Sequence, residues 1–312
     1  MAKVLLVAAL LCLGLVSVRG LTNEELAALL TGAVGLGNLD IVPDPENSDY
    51  FIVSSHGMPN HTLGPWGDGN AITPSYVDHN YRIPKNPTIQ AEPSCTPMGA
   101  IGLSLSGAAI FNPFTWGCYD AGILEAEGFD ECRGHPSPFG EYHYHIIPTC
   151  IFDVTEVPSP IIGVALDGFP IYGPTDETGR ALTSADLDEC HGRQVNGQYR
   201  YHVTSDFPYF LGCFKGAPVD AQITGEPCEC TERADPCQAV NGNEPPQGDA
   251  PGQLPFDRDQ LAALGIICPT DSPNDVINDH GHGQHGNGSG SKATVSGAML
   301  VLLTAISINM KL

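Results

Sequence analysis

The chain has 312 residues, with 13 Lys and Arg against 36 Asp and Glu, a formal net charge of −23 and 11 cysteines. So acidic a protein is repelled by nucleic-acid phosphate, which excludes capture of DNA or RNA by charge. Its 42% hydrophobic content is enough for a core, while 36 Gly, 27 Pro and only 16% charged residues argue against long helical bundles and for a turn-rich, mainly β globule.

In chain order, residues 1–20 carry Lys3, an apolar run from Val4 to Val16, and Val18-Arg19-Gly20, whose residues suit the −3 and −1 positions of a signal-peptidase site with cleavage after Gly20. A cleaved secretory leader is expected. It takes Cys12 with it and leaves ten cysteines, an even set suited to disulfides in an oxidising route. Within the segment 21–49, Thr22-Asn23-Glu24-Glu25 has the capping-box pattern ahead of Leu26 to Leu30 and predicts a short, mobile amphipathic helix. The main domain is expected over 50–216, where β-type runs such as Tyr50 to Ser54 and Asn80 to Ile83 are punctuated by Gly, Pro and Asn. A Cys-rich extension follows at 217–270, with one helix expected after Asp257, then a low-complexity stalk at 271–291 that contains His280, His282 and His285. Small residues around Ser289, a polar spacer and the apolar run Ala298 to Met310 have the order of a GPI signal at 292–312. That run is shorter than the roughly 20 residues a membrane span needs. Ser289 is the expected attachment residue, and Asn60 and Asn287 are the expected glycosylation sites. The expected location is the cell surface or the extracellular space, with membrane contact through the lipid anchor alone.

The main domain repeats itself. Ile101 to Pro113 matches Ile162 to Pro174, Asp130-Glu131-Cys132 matches Asp188-Glu189-Cys190, and Gly140-Glu141-Tyr142-His143-Tyr144-His145 matches Gly197-Gln198-Tyr199-Arg200-Tyr201-His202. Ordered blocks of this kind predict two copies of one supersecondary unit, at 101–150 and 162–213. Ser106-Gly107 and Asp167-Gly168 predict a two-residue hairpin turn in each copy, and Pro170, which lacks an amide donor, predicts an edge strand. Period two places Tyr142 and Tyr144 on one strand face and His143 and His145 on the other, with Tyr199 and Tyr201 opposite Arg200 and His202 in the second copy. The expected fold is therefore a disulfide-stapled, mainly β domain built from two duplicated hairpin-containing repeats with few short helices.

At Tyr142-His143-Tyr144-His145 the chain resembles the YHYH domain family, and the resemblance extends through Gly57-Met58-Pro59-Asn60-His61, Asp167 to Pro174, and Phe207 to Gly216. It covers about residues 50–216. The family is defined by sequence, so the resemblance implies a domain boundary and no particular reaction. Where its pattern has a second Tyr-His-Tyr-His block, Arg200 stands in place of the first His. Repeat equivalence points to bridges Cys132–Cys150 and Cys190–Cys213, among the on the order of a thousand pairings open to ten cysteines. Cys95, Cys118, Cys228, Cys230, Cys237 and Cys268 are expected to complete the set.

Two His at i and i+2 on one strand face lie about 6.5–7 Å apart, close enough for both imidazoles to reach one metal ion. If the copies pack about a pseudo-two-fold axis, His143, His145 and His202 converge. His61, His135 or His191 would then complete a Zn or Cu site, with Asp167 as a carboxylate ligand or as a partner that fixes an imidazole tautomer. Two other readings stay open: a hydrogen-bonded lattice of Tyr and His in the core, and a metal-free active site. No Gly-x-Ser-x-Gly elbow, His-Glu-x-x-His helix, Walker loop or strand-end Gly-x-Gly-x-x-Gly occurs, and no catalytic residue is assigned. The second function class is a non-enzymatic acidic surface or matrix module that meets an extracellular ligand. Asp44-Pro45-Glu46-Asn47-Ser48-Asp49 offers such a module oxygen ligands for calcium, although acidic residues also simply keep secreted proteins dispersed.

Overall fold

The computed structural model describes residues 20–33, 39–66, 72–115, 117–219, 233–234, 258–264 and 266. Residues 1–19 of the expected leader peptide, with Cys12, and Cys228, Cys230, Cys237, Cys268, the stalk, Asn287 and Ser289 lie outside them. Among the described residues no helix is long and apolar enough to cross a membrane.

The capping box forms at the start of α1 (Asn23–Ala33): the Thr22 amide donates to Glu25 Oε2 at 2.6 Å and the Glu25 amide to Thr22 Oγ1 at 3.1 Å. The expected mobile leader is instead docked. Leu29 is fully buried, while the Tyr172 hydroxyl donates to Glu25 Oε1 at 2.6 Å and the Gln198 amide to Glu25 Oε2 at 2.8 Å. An apolar side chain and a carboxylate on one helix face are both taken up by the main domain.

Strands β1 (Asp40–Pro43), β2 (Tyr50–Ser55) and β3 (His79–Pro84) form an antiparallel sheet, and β4 (Ser94–Cys95) pairs with a late strand, β15 (Cys213–Phe214). The main sheet begins with the hairpin β5 (Ala100–Ser104) and β6 (Ala109–Phe111). The short pair β7 (Phe114–Thr115) and β8 (Tyr119–Asp120) leads into α2 (Ala121–Leu124), after which β9 (Gly134–Pro136) pairs with β10 (Tyr142–Tyr144). A second hairpin, β11 (Ile161–Ala165) and β12 (Pro170–Tyr172), is followed by β13 (Gly192–Val195) and β14 (Gln198–His202). A short helix, α3 (Arg258–Ala263), lies in the extension.

Eight strands make the main sheet in the order β13-β14-β12-β11-β5-β6-β10-β9. Read outward from the antiparallel β5–β11 pair, each side gives a hairpin, a parallel strand and an antiparallel edge strand. The hairpin loops are one residue longer than expected. The Ser104 amide donates to Ala108 O at 3.0 Å and the Gly107 amide to Ser104 O at 2.9 Å, so Leu105-Ser106-Gly107 is a three-residue loop, with Leu166-Asp167-Gly168 matching it. Gly107 (φ 81) and Gly168 (φ 89) take the left-handed position that follows the turn in such loops rather than its centre. The Pro170 strand is not an edge either, since β12 lies between β11 and β14. Proline is tolerated there as the first strand residue, because β14 pairs with Ile171 and Tyr172 instead.

Tyr142, Tyr144, Tyr199 and Tyr201 stand among the largest fully buried side chains. Their hydroxyls are satisfied: Tyr142 donates to Asp130, Tyr199 to Asp188 and Tyr201 to Asp167 Oδ2. Gly134 and Gly192 make room for two of the rings, since a Cβ there would stand 2.4 Å and 2.2 Å from the Tyr142 and Tyr199 oxygens. Disulfides join Cys132 to Cys150 and Cys190 to Cys213, the pairs indicated by the repeat, and Cys95 and Cys118 are also disulfide-bonded. The fold is mainly β.

Candidate metal centre

On the sheet face opposite the tyrosines, His135 on β9 is the direct cross-strand partner of His143 on β10, and His145 follows one step beyond β10 on the same side. Glu125, at the C-cap of α2, reaches over them. The ligand atoms of these four residues all lie within 4.8 Å of one another. His143 Nε2 is 3.0 Å from His145 Nε2, while Glu125 Oε2 is 3.1 Å from His135 Nε2 and 3.4 Å from His145 Nε2. His135 Nε2 is buried, and despite its distance to Glu125 it has no hydrogen-bond partner.

The tautomers follow from the second nitrogens. His143 Nδ1 is 2.9 Å from Glu141 O and His145 Nδ1 is 2.7 Å from Asn112 O; carbonyl oxygens only accept, so both Nδ1 atoms carry the proton. Each neutral ring then presents a bare lone pair at Nε2, and two such lone pairs face each other. Phe111 stacks on His143 with centroids 3.8 Å apart and Phe129 meets His135 edge-on, so the rings are held in an apolar surround. Burial drives His143 well below the ordinary histidine range, helped by its imidazole neighbours, and lowers His145 against the opposing pull of Glu125. For Glu125 burial acts upward, but His145 and His135 outweigh it and hold the carboxyl at about 2. His143 and His145, each with a bare Nε2, thus stand with His135 and the Glu125 carboxylate as a donor set suited to Zn or Cu.

The family profile described as YHYH protein matches residues 80–182 and again 175–216, and the Tyr142 to His145 block lies within the first match. The chain carries a YHYH domain. No curated protein and no solved structure matches the chain.

Within the YHYH domain the expected convergence of both copies on one ion does not occur. Strands β10 and β14 are five strand spacings apart, about 24 Å at roughly 4.8 Å each, so His202 cannot join His143 and His145. His202 donates from Nδ1 to Gly173 O at 2.8 Å, and its Nε2 accepts from Arg193 Nε at 3.2 Å and Arg200 Nε at 3.1 Å. His191 is used by Phe210 O at Nδ1 and by the Ser184 and Thr204 hydroxyls at Nε2. His61 stands on the tyrosine face, with Nε2 2.6 Å from the Tyr144 hydroxyl. Asp167 accepts from Tyr201, Gly216 and Phe169, which leaves it a structural carboxylate. Of the expected ligands, His135, His143 and His145 come together, and Glu125 joins them without having been singled out by any motif.

The other half of the YHYH domain repeats the cradle with different occupants. Arg193 and Arg200 are direct cross-strand partners, as His135 and His143 are, and both guanidiniums pair with Glu177. His202 corresponds to His145, and each donates from Nδ1 to the carbonyl at the matched position, Gly173 or Asn112. Where one half has guanidinium groups directed at an imidazole lone pair, the other has lone pairs with no Lys or Arg of the described residues paired to them.

Proposed function

We propose that this protein binds a divalent transition metal ion, Zn or Cu, through Glu125, His135, His143 and His145. The observation that carries the reading is the 3.0 Å approach of two Nε2 lone pairs whose tautomers are fixed by backbone carbonyls. Such an approach is repulsive unless a cation stands between them. Three of the six spacings fit as well: four ligands about 2.0–2.1 Å from a tetrahedral ion are about 3.3 Å from one another. That is close to the 3.0, 3.1 and 3.4 Å between His143 and His145 and from Glu125 to His135 and His145, within a set that spans 4.8 Å. The carbonyl-held Nδ1–H groups are the outer partners that metal-bound histidines ordinarily have. Charge gives the valence. The Arg half sets two positive groups against the Glu177 carboxylate, and a divalent ion against Glu125 reproduces that balance.

The test is metal analysis of the untagged full chain carrying alanine at His280, His282 and His285, so that stalk histidines contribute nothing. A single Zn or Cu ion per chain is expected, and His135→Ala or His145→Ala should remove it. A folded protein that takes up neither ion when either is added would refute the reading. The repeat within the sheet supports an origin by duplication of one hairpin unit. Its disulfides support passage through an oxidising route. Display on a GPI anchor is the proposal for location, tested by release of the protein from membranes with a phosphatidylinositol-specific phospholipase.

A further inference from the structure

The four proposed ligands are not held equally. His135, His143 and His145 are on or beside paired strands of the main sheet, whereas Glu125 ends a four-residue helix with no side-chain cap. So short a helix has no stability of its own and takes its position from what packs on it. Part of the packing comes from within the matched domain, where Tyr209 lies against Gly122 and donates to Asp120 Oδ1 at 2.7 Å, and part comes from outside it. Leu261 of α3 is fully buried against Tyr119 and Leu124, with Leu264 and Ile266 beside it. The Ala234 amide donates to Cys118 O at 2.8 Å, and Arg233 Nη1 pairs with Asp120 Oδ2 at 2.9 Å while its guanidinium lies over the Phe207 ring. These contacts grip the chain at Cys118, Tyr119, Asp120 and Leu124, immediately before Glu125.

We infer that the C-terminal extension is a positioning element of the metal centre: Leu261 and Arg233 hold α2 so that the Glu125 carboxylate stands over the imidazoles. The inference rests on the metal reading above and adds a control to it. With the extension docked the ion has four protein ligands. With the grip released it keeps three imidazoles and gains an open position, the difference between a closed and a reactive site. Leu261 touches no ligand atom and acts only through Glu125.

The experiment measures Zn affinity of the full chain by chelator competition, and the visible and paramagnetic spectra of the Cu(II)-loaded form, for wild type, Leu261→Ala, Glu125→Gln and the double variant. Leu261→Ala is expected to weaken binding about tenfold to a hundredfold, the effect ordinarily seen when an outer support of a metal ligand is lost. It should also shift the Cu(II) spectrum toward that of Glu125→Gln. In the Glu125→Gln background the Leu261 change should have no further effect. Leu261→Met, which keeps the apolar contact, should restore wild-type affinity. Arg233→Ala, at a half-exposed side chain, tests the same grip without emptying the core and should weaken binding in the same direction. Unchanged affinity and spectrum in Leu261→Ala and Arg233→Ala, or effects that add to that of Glu125→Gln, would overturn the inference while leaving the metal site intact. A wild-type chain that binds no metal overturns the underlying reading, and with it this one.

Discussion

At the scale of single residues, His202 shows how an imidazole is kept neutral inside the fold. Its Nδ1 donates to Gly173 O and its Nε2 accepts from two guanidiniums, so a second proton would have to enter between like charges. Burial, with Arg200 and Arg193 adding to it, lowers this group to about 3. The unfolded chain then binds more protons than the folded one between pH about 6.5 and about 3, so stability is complete above that window and is lost as pH falls through it. His191 and His79 are lowered by burial and act in the same direction. For His202 alone the loss is of order 3–5 kcal/mol. Denaturant unfolding at a series of pH values should show the slope, and His202→Asn, which keeps one donor and one acceptor, should flatten it. A wild type equally stable at both ends of the window contradicts the assignment. His143 and His145 were legible as a pair because i and i+2 on a strand fixes a shared face without any tertiary information. Glu125 was not, since only the path of the chain through α2 brings it back to β10. His135 was open as one of several candidates, and cross-strand register alone selects it.

At the scale of elements, local chemistry was readable and neighbours were not. The alternation in Tyr142 to His145 and the capping box at Thr22 to Glu25 are properties of a few consecutive residues, and both form as read. The place of β12 inside the sheet depends on β14, nearly thirty residues later, which no local signal for Pro170 contains. The docking of α1 is of the same kind: its apolar spacing predicts a face, and the main domain supplies the surface. Leu29 is the anchor of that face. Leu29→Ala should cost about 2–5 kcal/mol, the usual effect of emptying a buried leucine site, and should expose the α1 amides to hydrogen exchange. A cost near zero with unchanged exchange would return α1 to the mobile leader that its position in the sequence implies. Because Glu25 accepts from both Tyr172 and Gln198, Glu25→Gln should weaken the same docking without removing apolar contact, and the two effects should couple.

At the scale of the whole molecule, one sheet holds two cradles built to the same plan, and they differ in where the positive charge comes from. One half supplies it from Arg193 and Arg200, neutralised in part by Glu177; the other places imidazoles in the corresponding positions, where on the proposed reading a bound ion would supply it. The relation can be run backwards. Replacing both guanidiniums, Arg193→His with Arg200→His, would set three imidazoles with His202 beside the Glu177 carboxylate, the donor set already present around Glu125. The double variant is therefore expected to take up a second metal ion, whereas Arg193→Ala with Arg200→Ala, which removes the charge without supplying ligands, should not. The alanine pair should also lose stability, because Glu177 and the His202 lone pair would be left without partners. Metal content by elemental analysis and unfolding midpoints with and without added Zn separate these outcomes. Zn should raise the midpoint of the histidine pair beyond that of wild type, since an ion bound only by the folded state stabilises it. A folded histidine pair that holds no more metal than wild type would show that the two cradles share a strand plan but not a coordination geometry, and the valence argument for the Glu125 site would then rest on its own distances.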